Sequence, residues 1–142
     1  MRVITLIIIH CSAVRPGQQS GFREIDLWHR KRGWKNGCGY HFIVRRDGSV
    51  ENGRPIEMVG AHCVNHNSHS IGICYEGGLD TNGKAADTRT PEQKTALREL
   101  LERLHLQFPK AFILGHNVFN PTKDCPCFDA QAEYADLQCV LR

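Results

Sequence analysis

Two histidines and a pair of closely spaced cysteines are the residues of this chain best suited to chemistry. The run Ala111-Phe112-Ile113-Leu114 precedes Gly115 and His116, and the loop that follows carries Lys123, Cys125 and Cys127. At the other end of the chain, Val3 to Ile9 is almost continuously apolar and runs straight into His10. Both runs read as buried strands, so both imidazoles are expected at strand ends. If the two strands are neighbours in one sheet, His10, His116 and either Cys125 or Cys127 converge at one sheet edge. Two imidazoles and a thiolate are a zinc donor set. Three protein ligands leave the fourth position to water, which is the pattern of a hydrolase rather than of a closed structural site. A single histidine at a strand end is more often a hydrogen-bonded structural residue. The pairing, together with the cysteine loop, is what points to a metal.

Other side chains gain meaning only beside such a centre. Lys123, two residues before Cys125, is on its own a solvated loop lysine; next to a metal it can hold the oxyanion formed when water attacks a carbonyl. Tyr40 opens a strand expected to lie beside the first one, where its phenol can move a proton or orient water. His62, His66 and His69 are a rival metal set by count. Their spacing of four and three suits a helix face, but the asparagines and serine among them favour a loop. Substrate lining or solvation is the expected role there.

The elements that must position these groups follow in order. Val3–Ile9 is a strand covered on both faces, as in the centre of an α/β sheet. Phe22, Ile25 and Trp28 have helical spacing, with Ser20 as the expected N-cap and Gly33 as the stop. Tyr40–Arg45 and Ser49–Asn52 flank Asp47-Gly48, a hairpin turn. Ile71–Tyr75 is another buried strand, whose Gly72 implies close approach by a neighbour. Gly77–Arg89 is a loop long enough to be mobile or to line a cleft. Thr90-Pro91-Glu92-Gln93 is a capping box opening a helix with an apolar stripe at Leu97, Leu100, Leu101, Leu104 and Phe108, ended by Pro109. Asp129 to Leu141 is expected to be a closing helix.

Composition bounds the function classes. The 142 residues suffice for one domain, and 41% apolar with 23% charged residues is ordinary for a globular chain. A net charge of +3 favours an anionic polymer such as a bacterial wall but is no nucleic-acid footprint. No run approaches the roughly 20 apolar residues of a membrane span. Arg2 followed by Val3–Ile9 has the outline of a short secretory leader, yet His10-Cys11 stands where small residues should precede cleavage, so a strand is expected. Seven cysteines are an odd number for a disulfide scaffold. A reduced chain made in the cytoplasm, with buried or metal-bound thiols, fits better.

Six segments in series resemble a known family. They are Ile9-His10-Cys11-Ser12-Ala13; Arg23-Glu24-Ile25 with Trp28-His29 and Gly33-Trp34; Gly39-Tyr40-His41-Phe42 with Arg46-Asp47-Gly48; Val59-Gly60-Ala61-His62; Asn67 to Gly72; and Cys125-Pro126-Cys127-Phe128-Asp129. Together these resemble the zinc N-acetylmuramoyl-L-alanine amidases of the type 2 amidase and peptidoglycan-recognition-protein family, and among them the short phage amidases. The resemblance covers nearly the whole chain. It implies a single α/β domain over residues 1–142, with a mixed central sheet of about five strands and helices on both faces. It implies one Zn2+ per chain held by His10, His116 and Cys125, with Tyr40 and Lys123 catalytic, and His62 and His69 in the groove for the stem peptide. It also implies peptidoglycan or muropeptides as partner, no nucleic acid or membrane, a monomer, and action on the wall after lysis or release. Non-catalytic members typically lack the ligand cysteine, so Cys125 favours an enzyme over a wall-binding module.

Overall fold

The computed structural model describes residues 2–139. Strand β1 (Leu6–Cys11) lies between β4 (Ser70–Tyr75) and β5 (Phe112–Gly115), parallel to both. Beyond β4 come β2 (Phe42–Val44), parallel to it, and β3 (Val50–Asn52), antiparallel to β2. The sheet is therefore mixed and five-stranded, in the order β3-β2-β4-β1-β5. The near-continuous apolar runs of β1 and β4 occupy the middle because only a strand covered on both faces hides every side chain.

Alternation along the strands assigns the two faces. Ile7, Ile9, Ile71, Ile73, Tyr75 and Ile113 pack against the leucine stripe of helix α2 (Pro91–Gln107) and against Ala130 of the short helix α4 (Ala130–Glu133). Ile43 and Cys74 point the other way, to Ile25 of helix α1 (Phe22–Lys31). His10 shares the parity of Ile8 and so belongs to the α1 face.

Helix α2 opens as its residues dictate. Thr90 Oγ1 accepts from the Gln93 N–H at 3.0 Å and Gln93 Oε1 accepts from the Thr90 N–H at 2.9 Å. Gln93 is fully buried, and its amide also donates to the carbonyls of Val44 and Glu76, which pins the helix start to the sheet. The Asp47-Gly48 hairpin forms with Gly48 at φ +87°, and Gly33 ends α1 at φ +91°.

Several expectations need correction. β1 starts at Leu6 and includes His10 and Cys11, so the first imidazole lies within the strand rather than after it. The cap of α1 is Gly21, not Ser20. Ser20 is fully buried, with its N–H on Glu76 and its hydroxyl on Ser12. A Cβ at residue 21 would lie 2.3 Å from Arg45 Nη1. β2 does not adjoin β1, because β4 runs between them. The Gly77–Arg89 segment is a pinned turn, with a Leu79–Ala85 bridge and the Gly78 N–H on Thr88 Oγ1. In place of one closing helix there is α4, capped by Asp129, then a 3-10 turn at Ala135–Leu137; Leu141 lies outside the described residues. Ala130, Tyr134 and Leu137 of this segment all pack into the core.

Candidate active site

The C-terminal ends of β1 and β5 converge as their parallel register requires. Ile9 pairs with Gly115, so the next residues on each strand are His10 and His116. Their ring centroids are 4.6 Å apart. His116 does not trail into loop: it starts the single helical turn α3 (His116–Phe119). The chain then loops back, and the Asn117 N–H donates to the Cys125 carbonyl at 2.9 Å, which returns Cys125 to the histidines. Donor atoms of His10, His116 and Cys125 lie within 4.8 Å of one another. The Cys11 N–H donates to Cys125 Sγ at 3.1 Å.

Cys127 is turned elsewhere. Its sulfur lies against the Gly78 carbonyl and 3.9 Å from Cys11 Sγ. Burial, then the neighbouring Cys11, pushes its thiol up to about 12. The choice between Cys125 and Cys127, open from spacing alone, is thus a matter of which way each side chain points.

His10 is 2% exposed. Burial, then His62 and His116, holds its pKa well below the ordinary imidazole value. Burial and the nearby charge of Lys123 lower that of His116. Neutral imidazoles are the form that ligates metals. Two neutral nitrogens and a sulfur make a donor set that suits a borderline-soft divalent ion such as zinc.

These groups form the floor of a cleft of about 460 Å³, whose walls include Trp34, Tyr40, His62 and Lys123. Among the described residues, Arg32 and Lys123 are its charged lining residues, and no carboxylate lines it. Tyr40 does not open a strand as expected but lies two residues before β2, and its ring is 5.1 Å from that of His10 although β4 runs between β2 and β1. Tyr40 packs beside Cys74 of β4, against the cluster that also holds Ile25, Cys38 and Ile43. Burial, then the surrounding thiols, raises its phenol well above the usual value, so it keeps its proton.

His62 reaches the same centre, with Nδ1 2.9 Å from His10 Nε2. His69 does not line the cleft. It pairs with His66 at 3.2 Å, and the His66 ring stacks on Phe119 at 4.3 Å. His29 was legible only as part of a motif. It is a buried wall residue, with Nδ1 accepting from the Gly39 N–H, and its spacing of four from buried Ile25 is the signal that puts it on the inner face of α1.

A family model described as N-acetylmuramoyl-L-alanine amidase matches residues 1–128. The endolysin of Escherichia phage T7 is 46% identical over 123 residues, spanning 87% of this chain and 80% of that one. Among solved structures, the N-acetylmuramoyl-L-alanine amidase LysC from Clostridium intestinale superposes with a TM-score of 0.78 at 29% identity, over 94% of this chain and 85% of that one. Drosophila PGRP-LB gives 0.77 at 25% identity, over 95% and 81%. With a five-stranded mixed sheet, a His-His-Cys cluster at its strand ends and these relatives, the chain belongs to the N-acetylmuramoyl-L-alanine amidase family, close to the phage endolysins.

Proposed function

We propose that this chain is, over its whole length, one zinc-dependent amidase domain that cleaves the amide between N-acetylmuramic acid and L-alanine of the peptidoglycan stem. The observation that carries this reading is the mutual approach of two imidazoles and a sulfur, with donor atoms within 4.8 Å of one another, on a cleft floor beside Tyr40. His10, His116 and Cys125 would hold the ion. Bound there, zinc supplies Lewis acidity, lowering the pKa of water toward about 7 and polarising a carbonyl.

The chain's own residues do the rest. Lys123, at the rim, offers a fixed positive charge to the oxygen on which negative charge develops. Tyr40 carries a proton at its Oη and donates it toward that oxygen or the departing amine. The cleft, lined by Arg32 and Lys123 and by no carboxylate among the described residues, attracts a peptide rich in carboxylates. Peptidoglycan and its muropeptides are the partner, and the chain works as a monomer on the wall once released. Among the described residues no helix is long and apolar enough to cross a membrane.

The test is release of stem peptides from purified wall. Chelation or Cys125→Ala should abolish it while circular dichroism and the melting profile show a folded chain. Release that survives both would refute the zinc assignment.

A further inference from the structure

His62 is fastened more firmly than a groove-lining residue requires. Its backbone N–H, with that of Cys63, donates to Asn67 Oδ1, both at 2.9 Å. Its ring is held at both nitrogens: Nδ1 is 2.9 Å from His10 Nε2, and Nε2 is 3.2 Å from Ser70 Oγ. Two glycines make the space it fills. A Cβ at Gly72 would lie 2.5 Å from His62 Cδ2, and one at Gly60 would lie 2.8 Å from the same atom. The rings of His10 and His62 meet edge to face, with centroids 4.9 Å apart.

We propose that His62 is the positioning residue for His10. It accepts the His10 Nε2 proton, so that Nδ1 of His10 is the atom presented to the metal. The polarity follows from counting protons. A neutral imidazole has one N–H and one lone pair. If His62 donated to His10 Nε2, the only lone pair of His10 would be used and its Nδ1 would carry a proton. Neither nitrogen could then ligate. With the opposite polarity, His10 Nε2–H donates to His62 Nδ1, and His62 Nε2–H donates to Ser70 Oγ. Each heteroatom in the row His10–His62–Ser70 then has one consistent role. A partner on the non-ligating nitrogen fixes both the tautomer and the ring orientation of a metal-binding histidine.

This inference rests on the reading of His10 as a metal ligand, and the experiment separates the two. Zinc affinity is measured by chelator competition for wild type, His62→Leu, His62→Asn and Ser70→Ala. In the metal-free wild type, histidine 15N shifts report which nitrogen of His10 is protonated. The expected results are a proton on Nε2, zinc binding weakened about 10–100-fold by His62→Leu, and recovery to within a few-fold in His62→Asn, whose Oδ1 can take the place of Nδ1. Ser70→Ala, a gentler change that leaves His62 in place, should loosen zinc by a smaller factor. A wild type that binds zinc beside a folded His62→Leu of equal affinity overturns the inference and leaves the metal reading intact, as does a raised KM with unchanged zinc affinity. A His10 proton on Nδ1 likewise overturns it. A wild type that takes up no zinc overturns both.

Discussion

The most consequential choice in this molecule is made by a single side-chain direction. Cys125 and Cys127 are two residues apart, yet only Cys125 faces the imidazoles, while Cys127 packs between Cys11 and the Gly78 carbonyl. Cys125→Ser should therefore lose stoichiometric zinc and reduce turnover by more than about 100-fold, in the range expected when the centre that activates water is lost. Cys127→Ser should keep zinc and most activity. Metal analysis beside a wall-lysis assay reads both, and equal zinc loss in the two variants would show that the thiols are interchangeable. Tyr40 calls for a subtler change. Tyr40→Phe retains the ring packing at 5.1 Å from His10 and removes only the hydroxyl. We expect kcat on defined muropeptides to fall about 10²–10⁴-fold, the usual share of general acid–base help, with zinc content unchanged. A wild-type kcat would take the tyrosine out of the proton path.

At the scale of elements, the return of the C-terminal segment depends on one buried cation. The Arg89 side chain is 1% exposed and bonds Asp87, Glu133 and the Tyr134 hydroxyl, while its guanidinium lies 3.4 Å over the Phe128 ring. Phe128 is three residues past Cys125, so this cluster anchors the loop that carries Cys125. Arg89→Met should cost about 2–3 kcal/mol, somewhat less than the roughly 3–5 kcal/mol of breaking a fully buried pair, because Asp87 and Glu133 reach solvent. Urea denaturation measures it, and a change under about 0.5 kcal/mol would show that the aromatic packing alone holds the segment. The capping residue Gln93 plays a similar double part at the start of α2, linking the helix to the carbonyls of Val44 and Glu76.

Across the whole molecule, acid stability should follow Glu76. Its side chain is 3% exposed and accepts from the Ser20 N–H, the Arg46 N–H and Arg45 Nε, joining the α1 approach, the hairpin and the end of β4. Burial alone would raise its pKa; the donors, Arg45 first, outweigh burial and bring it below the usual value. A depressed carboxylate stabilises the fold above its unfolded pKa of about 4.3 and loses that contribution as pH falls through its folded value. Melting from pH 7 to pH 3 should therefore show Glu76→Gln less stable than wild type by about 1–3 kcal/mol at neutral pH, the cost of losing charged hydrogen bonds. The gap should narrow below about pH 4. A gap independent of pH would mean that shape rather than charge matters at this position.

Residue types and periodicity were enough to identify the buried strands, the Asp47-Gly48 turn, the capping box of α2 and the two strand-end histidines, because each is decided by neighbours within a few positions. The motif series carried the family for the same reason. Strand order was not written locally. Tyr40 was expected beside the first strand, and only the packed sheet inserts β4 between them. Ser20 looked like a helix cap until the long-range demand of Glu76 took its N–H and Ser12 met its hydroxyl. The histidine loop offered His62 and His69 as equals. Tertiary packing alone separates them, because the space above Gly72 and beside Gly60 admits one imidazole, and it is His62 that reaches His10. Directions of side chains in loops, and the neighbours of strands far apart in sequence, are set by the closing of the core, and that is why the two histidines and the cysteine were legible as candidates but their supports were not.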